Sequence, residues 1–133
     1  MNVLVDTSVW IEFFNPKPRF ETARLELLIE ENLCVTCLPV RAEVLSGKMA
    51  PKNRSIILRA FDSLAYADPE WKLKETWDNV ADIALRARRE KSTLPGLVDR
   101  MILLTAQKSG VALWTFDLKL RKLAVILGIP LSN

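Results

Sequence analysis

Val3-Leu4-Val5, Leu33 to Leu38 and Val111 to Thr115 are short, continuous, mostly apolar runs, and they constrain this chain more than any other feature. Each is too short for a helix, and together they are rich in β-branched residues. Without polar alternation, such runs read as strands covered on both faces. Each is followed by a helical apolar pattern. Strands alternating with helices imply an α/β fold with a parallel sheet and right-handed crossovers.

The intervening segments fill in the helices. Asp6-Thr7-Ser8 supplies good capping residues for a very apolar helix from Val9 to Phe14, stopped by Asn15-Pro16-Lys17-Pro18. Residues 19–31, Pro39 to Leu45, 52–65, 73–90, 97–108 and 117–127 read as further helices. In residues 73–90 the spacing of Trp77, Val80, Ala81, Ala84 and Leu85 predicts the buried face. In 52–65, Ile56, Leu58 and Phe61 are apolar positions. Edge strands are expected near Tyr66 to Trp71 and at Ile129-Pro130-Leu131, where a proline is tolerated. No repeat, linker or low-complexity tract interrupts the 133 residues, so one domain over 1–133 is expected.

Composition narrows the chemistry. There is no histidine. That removes Ser-His-Asp and Cys-His catalysis, histidine acid–base pairs and histidine-ligated zinc. The two cysteines, Cys34 and Cys37, have no third thiol to complete a zinc site. They lie in an apolar strand rather than at an exposed helix start, and read as reduced, buried thiols. No apolar run reaches the roughly 18 residues of a membrane span. The first residues lack the pattern of a signal peptide, so a cytoplasmic location is expected. The net charge of +3 is compatible with nucleic acid without requiring it.

Four carboxylates stand out. Asp6 and Asp117 follow the first and last buried strands, where open parallel sheets place their sites. Each also suits a helix N-cap. Glu43 lies in the segment after the second strand, and alone it reads as an ordinary solvated glutamate. Asp99 sits in Leu97-Val98-Asp99-Arg100-Met101-Ile102-Leu103-Leu104, an almost wholly apolar helix expected to be deeply buried. An isolated buried carboxylate is costly. The helix dipole and a pairing by Arg100 would offset part of that cost, but a cation accounts for it better. Acids gathered in one crevice need a cation to remain ionised together. Oxygen-only ligation suits Mg²⁺ or Mn²⁺.

Val5-Asp6-Thr7-Ser8-Val9-Trp10-Ile11 resembles the first motif of the PIN-domain family, and of its VapC-type toxin ribonucleases in particular. The Glu43 segment occupies the place of the second acid. Pro95 with Asp99-Arg100-Met101-Ile102-Leu103-Leu104-Thr105-Ala106 is similar to the third motif, and Leu113-Trp114-Thr115-Phe116-Asp117 to the fourth. The resemblance spans nearly the whole chain in the right order. It implies a three-layer α/β/α domain with a central parallel sheet of about five strands. It implies a divalent-metal-dependent endoribonuclease using Mg²⁺ or Mn²⁺, with Asp6, Glu43 and Asp99 as core acids and Asp117 completing the site. Thr7, Ser8 and Thr115 would support them by hydrogen bonds. A cognate antitoxin would be its partner. One departure is Asp117-Leu118-Lys119-Leu120, which lacks the further Asp or Asn that family members often carry.

Lys119, Arg121 and Lys122 follow Asp117 and are the preferred phosphate contacts, with Lys48 near the Glu43 helix. Arg86, Arg88, Arg89 and Lys91 read as complements to a helix C-terminus or as a second basic path. The apolar segment from Trp10 to Phe14 reads as core or as a face for partners, either the antitoxin or a second copy in a homodimer. Two other functions compete. A non-catalytic binding or regulatory protein with the same fold would not need all four acids. A phosphotransferase with Asp6 as nucleophile would place another Asp two residues later, where this chain has Ser8.

Overall fold

A computed structural model of the chain describes residues 1–132. Its sheet is formed by β1 (Val3–Val5), β2 (Cys34–Thr36), β3 (Ala65–Tyr66) and β4 (Ala112–Trp114) in the order β3-β2-β1-β4. All pairings are parallel. Val5 lies opposite Trp114 and Val3 opposite Cys34. Every residue of β1, β2 and β4 is buried, as continuous apolar runs require.

The sheet has four strands, not about five. Leu131 makes a single parallel bridge to Leu113, flanked by bonds from Leu113 N to Pro130 O and from Ser132 N to Leu113 O. Pro130 takes part only as an acceptor, the one backbone role open to it. β3 contributes two residues, both exposed, at the opposite edge.

Among the described residues, seven α-helices flank the sheet: α1 (Thr7–Phe13), α2 (Ala23–Glu30), α3 (Leu38–Leu45), α4 (Pro51–Asp62), α5 (Lys74–Arg89), α6 (Leu97–Ser109) and α7 (Leu118–Ile126). A turn of 3-10 helix at Phe20–Thr22 precedes α2. Helix α3 packs against α1, α4 and α6, while α5 packs on α6. Gly110 ends α6 at φ 69°, a left-handed cap that glycine adopts without a side-chain clash. Trp10 anchors α1 in the core beside Phe61 of α4, with ring centroids 4.8 Å apart.

Three expected faces are shifted. Helix α5 buries Thr76, Val80, Ile83, Ala84 and Ala87, leaving Trp77, Ala81 and Leu85 exposed. The Trp77 indole lies beside Trp71 and donates to its carbonyl at 2.8 Å, which satisfies it outside the core. In α4 the buried residues are Ile57 and Phe61, while Ile56 is exposed. In α6 burial is complete only over Ile102–Ala106, and Leu97 faces solvent.

Candidate active site at the carboxyl edge of the sheet

The chain moves from β1 outward to β2 and β3, then returns to place β4 on the other side of β1. The strand order therefore reverses between β1 and β4, and a crevice opens beyond the carboxyl ends of those strands. Asp6 follows β1, and Asp117 lies just beyond β4. Asp6 N donates to Trp114 O at 2.9 Å, tying the two strand exits together.

Each of these aspartates is also a helix cap. Asp6 caps α1, and its side chain accepts from Ser8 N. Asp117 caps α7, its Oδ1 accepting from Lys119 N at 2.9 Å and Leu120 N at 3.3 Å. Capping and membership of an acidic cluster are compatible because a carboxylate has two oxygens. On Asp6, the hydroxyls of Ser8 (2.8 Å) and Thr115 (2.7 Å) both donate to Oδ2. Thr115 Oγ1 in turn accepts from Asp117 N at 3.0 Å, so one buried threonine orients both acids. Thr7 Oγ1 donates to Glu43 Oε1 at 2.6 Å, bringing α3 to the site. Oδ1 of Asp6, Oε2 of Glu43 and Oδ2 of Asp117 accept no hydrogen bond among the described residues.

Asp99 sits in the first turn of α6, half-buried, with no hydrogen bond to its carboxylate among the described residues. Its pKa is pushed up to about 6, first by burial and then by Asp6, Glu43 and Asp117. Four acids thus share one electrostatic neighbourhood. Among the described residues no three of these side chains are grouped closely enough to hold a metal ion as they stand. Arg100 does not neutralise Asp99: it forms no ion pair among the described residues, and its Nε is buried without a partner.

A fifth acid near this edge, Asp68, differs in kind. Both of its oxygens accept from Leu38 N, at 2.9 and 3.1 Å, and one also accepts from Trp71 Nε1. It closes the start of α3 and has no free oxygen, a role its sequence context did not reveal.

The basic residues divide. Lys119 lines a cleft of about 240 Å³ with Asp99, Asp117, Pro95 and Gly96. Arg121 and Lys122 lie farther along α7 and do not line it. Lys48 lines an apolar groove of about 560 Å³ with Ile11, Phe14, Met49 and Ile56. Arg86 donates to Ile126 O at 3.3 Å and pairs with Glu90, which favours its reading as a helix-end complement. Cys34 and Cys37 are free, buried thiols, and burial pushes both up to about 12.

The family model for the PIN domain matches residues 3–126. The chain belongs to the PIN-domain family. This PIN domain is 26% identical over 112 residues to ribonuclease VapC11 of Mycobacterium tuberculosis strain H37Rv, covering 81% of each chain. The VapC ribonuclease Mb1587 of Mycobacterium bovis matches to the same extent. Among solved structures, VapBC2 from Rickettsia felis, bound to a promoter DNA fragment, superposes with a TM-score of 0.75 at 20% identity. That likeness covers 100% of this PIN domain and 98% of the other chain. FitAcB from Neisseria gonorrhoeae gives 0.71 at 21% identity, covering 98% and 96%. These structures show the shared PIN fold.

Proposed function

We propose that this protein is a divalent-metal-dependent endoribonuclease acting as the toxin of a toxin–antitoxin pair. The observation that carries the proposal is that Asp6, Glu43 and Asp117 all act on the half-buried Asp99, adding to the burial that chiefly raises its pKa to about 6. A protein that worked only through partner contacts would have no use for that arrangement. The ribonuclease names of the curated relatives supply the substrate class.

The four acids fit Mg²⁺ or Mn²⁺ because they offer only oxygen: Asp6, Glu43 and Asp117 each engage one oxygen in support, and the Asp99 carboxylate accepts no hydrogen bond among the described residues. When bound there, the ion supplies charge neutralisation, polarisation of the scissile phosphate and activation of water. The chain's own residues do the positioning. Ser8 and Thr115 fix the Asp6 carboxylate, Thr7 fixes Glu43, and Asp117 is held by the start of α7. Lys119 contacts substrate phosphate in the cleft, with Arg121, Lys122 and Lys48 extending the basic path. No helix among the described residues is long and apolar enough to cross a membrane. The reading places the protein in the cytoplasm.

The antitoxin is a partner of apolar character at the groove between α1 and α4, where Ile11, Phe14 and Ile56 are exposed. A second copy of the chain is the other expected partner.

The test is cleavage of single-stranded RNA with Mg²⁺ or Mn²⁺, with EDTA, and with Asp6→Asn. Metal-dependent cleavage lost in a folded Asp6→Asn variant supports the reading. Undiminished cleavage after rigorous metal removal would overturn it.

A further inference from the structure

Arg19 is held on an aromatic ring next in sequence to one of the acids. Its guanidinium lies over the face of Phe116, 4.0 Å from the centroid. Phe116 immediately precedes Asp117, and its backbone N–H donates at 3.1 Å to Ser8 Oγ, the hydroxyl that also holds Asp6. The platform under Arg19 is therefore bonded to the acidic cluster through its own backbone. Arg19 Nη2 donates to Glu21 Oε2 at 2.8 Å, and its other N–H groups have no hydrogen-bond partner among the described residues. The side chain is 49% exposed. The next residue, Phe20, is 87% exposed.

A merely structural Arg19 would pin the start of the 3-10 turn against β4. That accounts for the ring contact, but not for guanidinium N–H groups left open to solvent or for a bare phenylalanine next to them. A fixed cation followed by an exposed aromatic is what a single-stranded nucleic acid binds: phosphate on the cation, base on the ring. Position argues the same way. Lys119 lines the cleft with Asp99 and Asp117, two residues after Asp117, while Arg19 stacks on the residue before it. Two cations are thus carried by the segment around Asp117, whose acids would otherwise repel the RNA backbone.

We infer that the Arg19–Phe20 segment, seated on Phe116, is a contact for single-stranded RNA flanking the acids. Arg19 holds a phosphate adjacent to the scissile one, and Phe20 stacks on a neighbouring base. The inference rests on the ribonuclease reading above. Because the cation–π contact and the Glu21 pair already fix Arg19, little ordering is left for substrate binding.

The experiment uses an Asp6→Asn background, so that RNA is bound but not cut. Fluorescence anisotropy measures the affinity of a short, fluorescein-labelled single-stranded RNA of mixed sequence across a salt series. Adding Arg19→Gln should weaken binding about tenfold and make the slope of log affinity against log salt shallower by about 0.7, one single-strand phosphate contact. Arg19→Lys should restore the slope. Phe20→Ala should weaken binding roughly tenfold with the slope unchanged. If Arg19→Gln and Phe20→Ala bind like the parent, or lower only the melting temperature, the inference is overturned. An effect at one residue alone overturns the role of the other. If the parent binds no RNA, the ribonuclease reading fails and takes this assignment with it.

Discussion

Thr7 Oγ1 and Glu43 Oε1 are 2.6 Å apart, across 36 positions of sequence. This short bond orients a half-buried glutamate on α3 from the first residue of α1. Valine in place of Thr7 has nearly the same shape but cannot donate. Thr7→Val should therefore lower metal affinity and cleavage by about tenfold while the protein still folds. Isothermal titration with Mn²⁺, beside a cleavage assay, checks it. Unchanged metal affinity would mean that Glu43 needs no such support.

Asp99 strains the metal-free protein, so Asp99→Asn should melt above wild type in EDTA. In Mg²⁺ the order should close or reverse. Wild type gains roughly 1.4 kcal/mol at ten times its dissociation constant, and the variant, short of a ligand, gains less. Cleavage by the variant should nearly vanish. Equal destabilisation in both conditions would make Asp99 a structural residue.

The same carboxyl has a signature in pH. Its folded-state pKa, about 6, lies above the ordinary 3.8. Between those values the native state binds the proton more tightly than the unfolded chain does. The contribution to stability is complete below about 3.8 and is lost as pH rises through about 6. The stability difference between wild type and Asp99→Asn in EDTA should therefore shift in favour of wild type on acidification from pH 7 to about 4. Half-exposure and screening reduce the shift to roughly 1 kcal/mol. Urea melts of both proteins at several pH values measure it, and parallel profiles would contradict it.

Cys34 and Cys37 are buried, with thiol pKa values near 12. A chromogenic disulfide reagent at pH 8 should label neither in the native protein and both after unfolding. Rapid native labelling would reopen a redox role.

Ile11 is 58% exposed at the apolar groove. Ile11→Asp should weaken antitoxin binding at least tenfold and leave RNA cleavage intact. Loss of cleavage with retained antitoxin binding would place the partner surface elsewhere.

Strands β1, β2 and β4 were readable because burial on both faces leaves an uninterrupted apolar run. β3 was only loosely readable, since two exposed residues carry no pattern. The last strand contracts to one bridge at Leu131. The α5 face was misjudged because Trp77 satisfies its indole outside the core, while Thr76 is buried and donates to Glu70 O. The places of Asp6 and Asp117 just beyond β1 and β4 were legible from the strand pattern, whereas Glu43 alone reads as an ordinary solvated residue. The sharing of oxygens between caps and cluster was not legible, because two atoms of one side chain have no separate trace in sequence. Arg19 escaped notice for a related reason: its partner Phe116 is far along the chain, and ring stacking follows no spacing rule.

The first strand in the chain, β1, pairs in register with the last, β4, and Thr115 donates to Asp6 across 109 positions. During synthesis the amino-terminal acid must wait for nearly all of the remaining chain. A nascent polypeptide has the Asp6 motif early, but lacks Thr115 and Asp117 to set it against. An unfinished copy therefore lacks the assembled acidic edge, which forms only when the sheet closes.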